Sequence, residues 1–286
     1  MIRYIKKFFD YLNRKNIMLI CGLFFSLLFI LIAIFAEHFE LHNPTEMNLA
    51  NALTAPCKTY PFGTDQLGRD IFSRIIEGSR ISLGTAFAVV IIAAAIGTAI
   101  GAVSGYFGGA MDMILMRIVD IFLAFPTIIF VLALSTFMRG NQANLIIALC
   151  CVQWVRYARI ARGEAVILHN AEFVEAAKGL GAGNLTILFK YFIPNLAPKI
   201  LITMSMDIGG IILYCASLSF LGLGAQPPSP AWGTMISDGK GYLRSAWWMT
   251  VYPGLAVSLT ALSFNMIGDG LRDLLDPRMR ESVSTE

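Results

Sequence analysis

The chain has 286 residues, 56% of them hydrophobic and only 14% charged, with a mean hydropathy of +0.66. Soluble domains carry about 25% charged residues, so this balance excludes one and identifies an integral membrane protein. The net charge of +3, scattered at the ends of apolar runs, gives no footing for nucleic-acid binding, and five cysteines without a CxxC pair indicate neither a disulfide framework nor a zinc site.

Residues 1–16 carry Arg3, Lys6, Lys7, Arg14 and Lys15 against Asp10, and a charge-free run follows over 17–36. At about 1.5 Å per residue that run spans the ~30 Å of bilayer hydrocarbon. It is too long for a signal peptide and lacks a small-residue cleavage site before Glu37-His38, which predicts an uncleaved first span with its basic end in the cytoplasm. Residues 37–80 are polar, broken by Asn43-Pro44, Ala55-Pro56 and Tyr60-Pro61, and read as an external segment. Asp70 can start a surface helix there, with Ile71, Ile75 and Ile76 on one side and Arg74 and Glu77 on another. No individual charge in it is expected to do more than orient the next span.

A core of five further spans is expected over 81–268. The first, 81–105, is uncharged and places Gly97, Gly101 and Gly105 on one face, the spacing that lets helix backbones approach in lipid. The next, 113–138, has Arg117 and Asp120 close enough to pair, and Pro126 predicts a kink. Span 141–160 is short of uncharged residues and reaches its length by letting Arg156 and Arg159 snorkel. Span 200–223 contains one acid, Asp207, and Cys215. An intramembrane carboxylate is a functional candidate, with pairing to an arginine such as Arg117 as its structural alternative. Cys215, Met204 and Met206 are soft ligands in principle, but a cysteine among apolar residues is usually packing, and no metal site is assigned. The last span, 246–267, opens at Trp247-Trp248, aromatic residues of the membrane boundary, and 269–286 is a short polar tail. Fifteen of the 22 Lys and Arg residues fall on the two ends, the first turn and residues 156–199, which places both termini and the segment 169–198 in the cytoplasm.

That segment is a polar island between two apolar runs. Asn170 can cap a short helix with Phe173, Ala176, Ala177 and Leu180 on one face and Glu172, Glu175 and Lys178 on the other. Gly179, Gly181 and Gly183 interrupt it. Asn184 can cap a second helix with the stripe Leu185, Leu188, Phe189 and Phe192, closed by Pro194. Thirty residues cannot build their own core, so the hairpin reads as a docking element or, alternatively, as an amphipathic hairpin on the bilayer surface.

Glu175-Ala176-Ala177, then three residues, then Gly181, and later Ile193-Pro194, resemble the EAA loop of ABC importer permeases. Residues 61–70 (Pro61 to Asp70), 217–228 with Pro230-Ala231-Trp232-Gly233, and 269–278 resemble the peptide and nickel importer permeases, the last matching the second permease type. The resemblance implies an all-α polytopic membrane protein with six transmembrane helices and a cytoplasmic coupling-helix loop that sits in a groove of an ATPase subunit. Glu175, Ala176, Ala177, Gly181, Leu185 and Leu188 would be the docking residues: Glu175 holds the interface by charge, Gly181 permits the turn, and Leu185 and Leu188 fill the groove. Cys215 stands where the family pattern has an acid, so a role for that acid does not pass to this chain.

The implied function is import of peptides or a nickel or metal-chelate complex across the cell membrane. The chain has no Walker A sequence, so ATP and Mg belong to partner subunits and this chain binds no cofactor. Implied partners are a homologous second permease, two ATPase subunits, an extracytoplasmic substrate-binding protein and membrane lipid. The alternative class is an ion-gradient-driven secondary transporter or channel using Asp207. An intramembrane enzyme has weaker support: neither HExxH nor GxSxG occurs, and His38, His42 and His169 all lie outside the expected spans.

Overall fold

In hydrocarbon every backbone N–H and C=O needs an internal partner, and a helix supplies it within one segment. The computed structural model describes residues 17–138 and 141–275 and is built of helices. In chain order they are α1 (Ile17–Ile34), α2 (Ala36–Phe39), α3 (Ile71–Phe107), α4 (Gly109–Leu123), α5 (Thr127–Phe137) and α6 (Gln142–His169). After these come α7 (Glu172–Gly179), α8 (Asn184–Ile187), α9 (Ile193–Phe220), α10 (Trp232–Gly239) and α11 (Trp248–Leu275). The expected basic N-terminal tail and most of the C-terminal tail lie outside the described residues. Five helical stretches are long and apolar enough to cross a membrane, and the bent pair α4 and α5 makes a sixth when the two are counted as one span.

Three helices depart from the expected boundaries. The surface helix begun by Asp70 and the second span are one continuous helix of 37 residues, about 55 Å long. Asp70 starts it by accepting hydrogen bonds from the Ser73 amide at 3.0 Å and the Ser73 hydroxyl at 2.5 Å. Pro126 does more than kink its span. It lacks an amide hydrogen and disfavours helix in the residue before it, so α4 ends and α5 restarts at an angle of 84°.

Pro194, by contrast, closes nothing. It follows a π-helical turn, where the regular i→i−4 ladder is already interrupted, and the helix continues through it. A π-helical turn, Leu188–Phe192, joins α8 to α9, so helix runs from Asn184 to Phe220 with Pro198 inside it.

The contacts divide the described residues into two compact units, 17–87, 135–138, 141–145 and 205–275 in one and 88–134 and 146–204 in the other. In the second unit, Gly97, Gly101 and Gly105 of α3 lie against α6. A Cβ added at these glycines would come within 2.6 Å of the Tyr157 Cβ, 2.7 Å of the Ala161 Cβ and 2.6 Å of the Ala165 Cβ respectively. The α6 face is equally small, with Ala158, Ala161 and Ala165 fully buried. In the first unit Gly22 of α1 meets Met266 and Ile267 of α11 at the same kind of close approach. Trp232, 1% exposed, ties α10 to α3: its indole N–H donates to the Ile75 carbonyl at 2.9 Å and its amide to the Ser82 hydroxyl at 3.3 Å.

Candidate functional site

The turn after α7 is a Schellman motif. Ala182 N–H donates to the Ala177 carbonyl at 3.0 Å and Gly181 N–H to the Lys178 carbonyl at 2.9 Å. This geometry puts Gly181 at φ +82°, a conformation that side chains resist. Neither expected asparagine cap forms. Ala171, without a side-chain bond, precedes α7. Gly183 precedes α8, and the Asn184 amide oxygen instead accepts a hydrogen bond from the Tyr106 hydroxyl at 2.9 Å.

One face of this element is part of the second unit's core. Val174, Ala177, Ile187, Leu188 and Phe192 are buried with Tyr106, Val119 and Ala165, and Phe192 packs edge-on against Tyr106 at 5.2 Å. The other face carries Leu180 at 90%, Leu185 at 71% and Phe189 at 72% exposure, beside exposed Glu172, Glu175, Ala176 and Gly181. The expected docking set therefore splits. Glu175, Ala176, Gly181 and Leu185 face outward, whereas Ala177 and Leu188 face inward and cannot fill a partner's groove. Both registers satisfy helical spacing, and the anchor that decides between them, Val174, has no special place in the sequence pattern.

Charged groups hold the neighbouring helices. Arg162 of α6 makes two hydrogen bonds to Asp112 of α4, at 2.5 and 2.6 Å, and Lys199 of α9 pairs with Glu164 of α6. The expected pairing of Arg117 with Asp120 is replaced: Asp120 faces Arg159 at 3.7 Å, and Arg117 is exposed.

In the first unit Asp207 is buried, 5% exposed, on α9. Cys215 lies eight residues along, about 12 Å away, and borders a small cavity with Ser82, Thr85, Gln142 and Ser219. The structure thus does not bring the two expected intramembrane polar candidates together. Among the described residues no three His, Cys, Asp or Glu side chains are grouped so as to hold a metal ion.

Sequence reasoning missed a charge network in residues 65–74. Arg69 Nε lies 2.6 Å from Asp65 Oδ2, Arg74 Nε lies 3.7 Å from the same oxygen, and an Arg69 terminal nitrogen lies 3.9 Å from Asp238. Asp65, Arg69, Asp70 and Arg74 are all at least 96% buried, so these are not surface charges that merely orient a span. Burial raises the Asp238 carboxyl above its ordinary range, against the opposing pull of Arg74 and Arg69. Trp248, expected at the membrane boundary, is buried and donates its indole N–H to the Thr64 carbonyl at 3.1 Å. The run from Pro61 to Asp70 was the available signal, but its partners Asp238 and Trp248 are more than 160 residues away in sequence.

Residues 97–281 match the model of the family described as binding-protein-dependent transport system inner membrane component. The chain belongs to this family of ABC importer permeases. The permease is 42% identical over 267 residues to the dipeptide transport system permease protein of Alkalihalophilus pseudofirmus, which covers 93% of this chain and 88% of that one. It is 40% identical to the probable D,D-dipeptide transport system permease protein of Escherichia coli, over 88% of this chain and 84% of the relative. The glutathione transport system permease protein of Pectobacterium atrosepticum is 39% identical, over 96% and 91% of the two chains. The permease is thus a non-catalytic, multi-pass inner-membrane component that works with ATPase and substrate-binding components. The ion-gradient class built on Asp207 is not favoured by these matches.

Proposed function

We propose that this permease forms half of the translocation pathway of an ATP-driven importer of short peptides, and that α7, Gly181 and α8 form its ATPase-docking element. Two ATPase subunits would carry the ATP and Mg, a homologous permease would form the other half, and an extracytoplasmic binding protein would deliver the solute. The docking element and both termini would face the cytoplasm. The relatives named for dipeptide, D,D-dipeptide and glutathione transport support peptides as the substrate class, while none of these names supports nickel or a metal chelate.

The observation that carries the docking assignment is the two-sidedness of the hinge. Its inner face is anchored among α3, α4 and α6, and its outer face leaves Leu180, Leu185 and Phe189 uncovered beside Glu175. A patch of that kind marks an interaction surface. Because the same short element is embedded on one side, a force on the outer side reaches the membrane helices.

The test is uptake of a labelled dipeptide in cells, read together with co-purification of the ATPase subunits. Leu185→Asp is expected to abolish both while the chain still inserts in the membrane. Wild-type uptake in that variant would overturn the docking assignment, as would labelling of Leu185→Cys from outside intact cells by an impermeant thiol reagent. Uptake driven by a proton or sodium gradient alone would return the permease to the rival class.

A further inference from the structure

In the first unit, α1, the first turns of α3, α10 and α11 enclose an open-sided cavity of about 540 Å³. Leu28, Phe29 and Ile32 form one wall, Phe72 and Ile76 another and Leu259 a third, and none of the lining side chains is charged. Two polar groups in these walls are turned onto their own backbone. The Ser79 hydroxyl donates to the Ile76 carbonyl at 2.6 Å and the Trp232 indole N–H to the Ile75 carbonyl at 2.9 Å. A peptide placed here would leave its amides unpaired, which is costly in an apolar site. Hydrocarbon has no such requirement.

We propose that this cavity is a lipid site, which holds one acyl chain of a membrane phospholipid with an ammonium-bearing head group. Size supports a long chain: an apolar cavity of about 150 Å³ houses a six-carbon ring, so 540 Å³ has room for on the order of twenty carbons. A membrane helix, about 10 Å across with its side chains, does not fit. Position supports it as well. Leu28, Phe29 and Ile32 belong to a membrane-crossing helix, and the lining includes Phe62 and Tyr252, stacked at 4.2 Å, beside the half-exposed Trp247. Aromatic residues of this kind sit at head-group level. Charge at this level selects the head group. The wall residues Phe39 and Ile76 are followed by Glu40 and Glu77, and Glu40 interacts with Glu77 and with Glu37. Among the described residues, Arg80, 3.1 Å from Glu37, is the one cation acting on Glu40. The net negative mouth attracts an ethanolamine ammonium and repels an anionic glycerol head group.

The test uses the complete transporter in vesicles containing a phospholipid with a photoactivatable diazirine on its acyl chain, in ethanolamine and glycerol versions. In the wild type, labelling by the ethanolamine probe is expected to concentrate on residues 28–39 and 72–79. Ile32→Trp and Ala256→Phe each fill the cavity from a different helix. Either should reduce that labelling about tenfold, since room for two methylenes alone corresponds to that factor. Ile129→Trp, at a position 63% exposed on α5, should leave it unchanged. Equal labelling in both filling variants, or labelling spread evenly over all exposed apolar helix faces, would overturn the site. Equal labelling by the glycerol probe would overturn the head-group preference. None of these readouts depends on which solute the transporter carries.

Discussion

Arg162 holds Asp112 through both carboxylate oxygens, Nε to Oδ1 at 2.5 Å and a terminal nitrogen to Oδ2 at 2.6 Å, and the Ser104 hydroxyl donates to the same Oδ1 at 2.5 Å. Three helices, α3, α4 and α6, therefore meet at one carboxylate. Arg162 is 39% exposed, so the pair is partly screened and contributes only about 1 kcal/mol. Asp112→Ala is expected to lower the melting temperature of the purified protein by a few degrees. The swapped pair Asp112→Arg with Arg162→Asp should be more stable than either exchange alone, and thermal unfolding of the wild type, the two single exchanges and the double exchange reads the coupling directly.

The approach of α3 to α6 leaves no room for a side chain. Gly101→Leu should cost about 1–3 kcal/mol through overpacking, seen as loss of folded protein in detergent. Gly210→Ala on α9, with nothing within 4 Å of the added carbon, should be close to neutral. Equal yields of the two variants would contradict the packing described here.

Gly181 and Gly183 separate backbone strain from crowding, because an added Cβ meets nothing within 4 Å at either position. Gly181 has φ +82° and Gly183 has φ −70°. Gly181→Ala should therefore cost about 1–2 kcal/mol and reduce dipeptide uptake, while Gly183→Ala keeps wild-type uptake. Full uptake in both would show that the left-handed turn does not matter for transport.

Asp238 gives the permease a measurable dependence on pH. Its folded carboxyl is raised above the unfolded value, chiefly by burial, so within that window the folded state binds more protons than the unfolded state. Stability from this group is present at low pH and is lost as pH rises through the folded value. The window opens near the ordinary carboxylate value of about 4 and extends upward. Asp238→Asn should flatten the melting temperature against pH across it. An unchanged slope would mean that another acid is responsible.

The fold was legible where lipid imposes its rules on every residue. Charge-free runs fall largely within the long apolar helices, and Gly97, Gly101 and Gly105 marked the face of α3 that meets α6. The registers of short elements were less legible. Phe173 and Val174 serve equally well as anchors of an eight-residue helix, and only the neighbouring Tyr106 and Phe192 decide which one turns inward. Proline misled in both directions, since its effect depends on the winding around it: Pro126 stands in the break between two helices, whereas Pro194 follows a π turn and the helix runs on. The charge network was least legible, because Asp65 and Arg69 are neighbours while Asp238 comes from a distant helix that no spacing rule connects to them.

The π turn at Leu188–Phe192 has one residue more than α-helical winding would use. Because this turn closes from residue i to i+5, the extra residue is wound into the same single turn, and deleting Lys190 would return the stretch to ordinary winding with Leu185 and Gly181 on nearly the same side of the axis. The surplus residue is thus stowed inside one turn, whereas the same extra amino acid left in ordinary winding would rotate the outward face by about 100° and aim it elsewhere without changing any side chain in it.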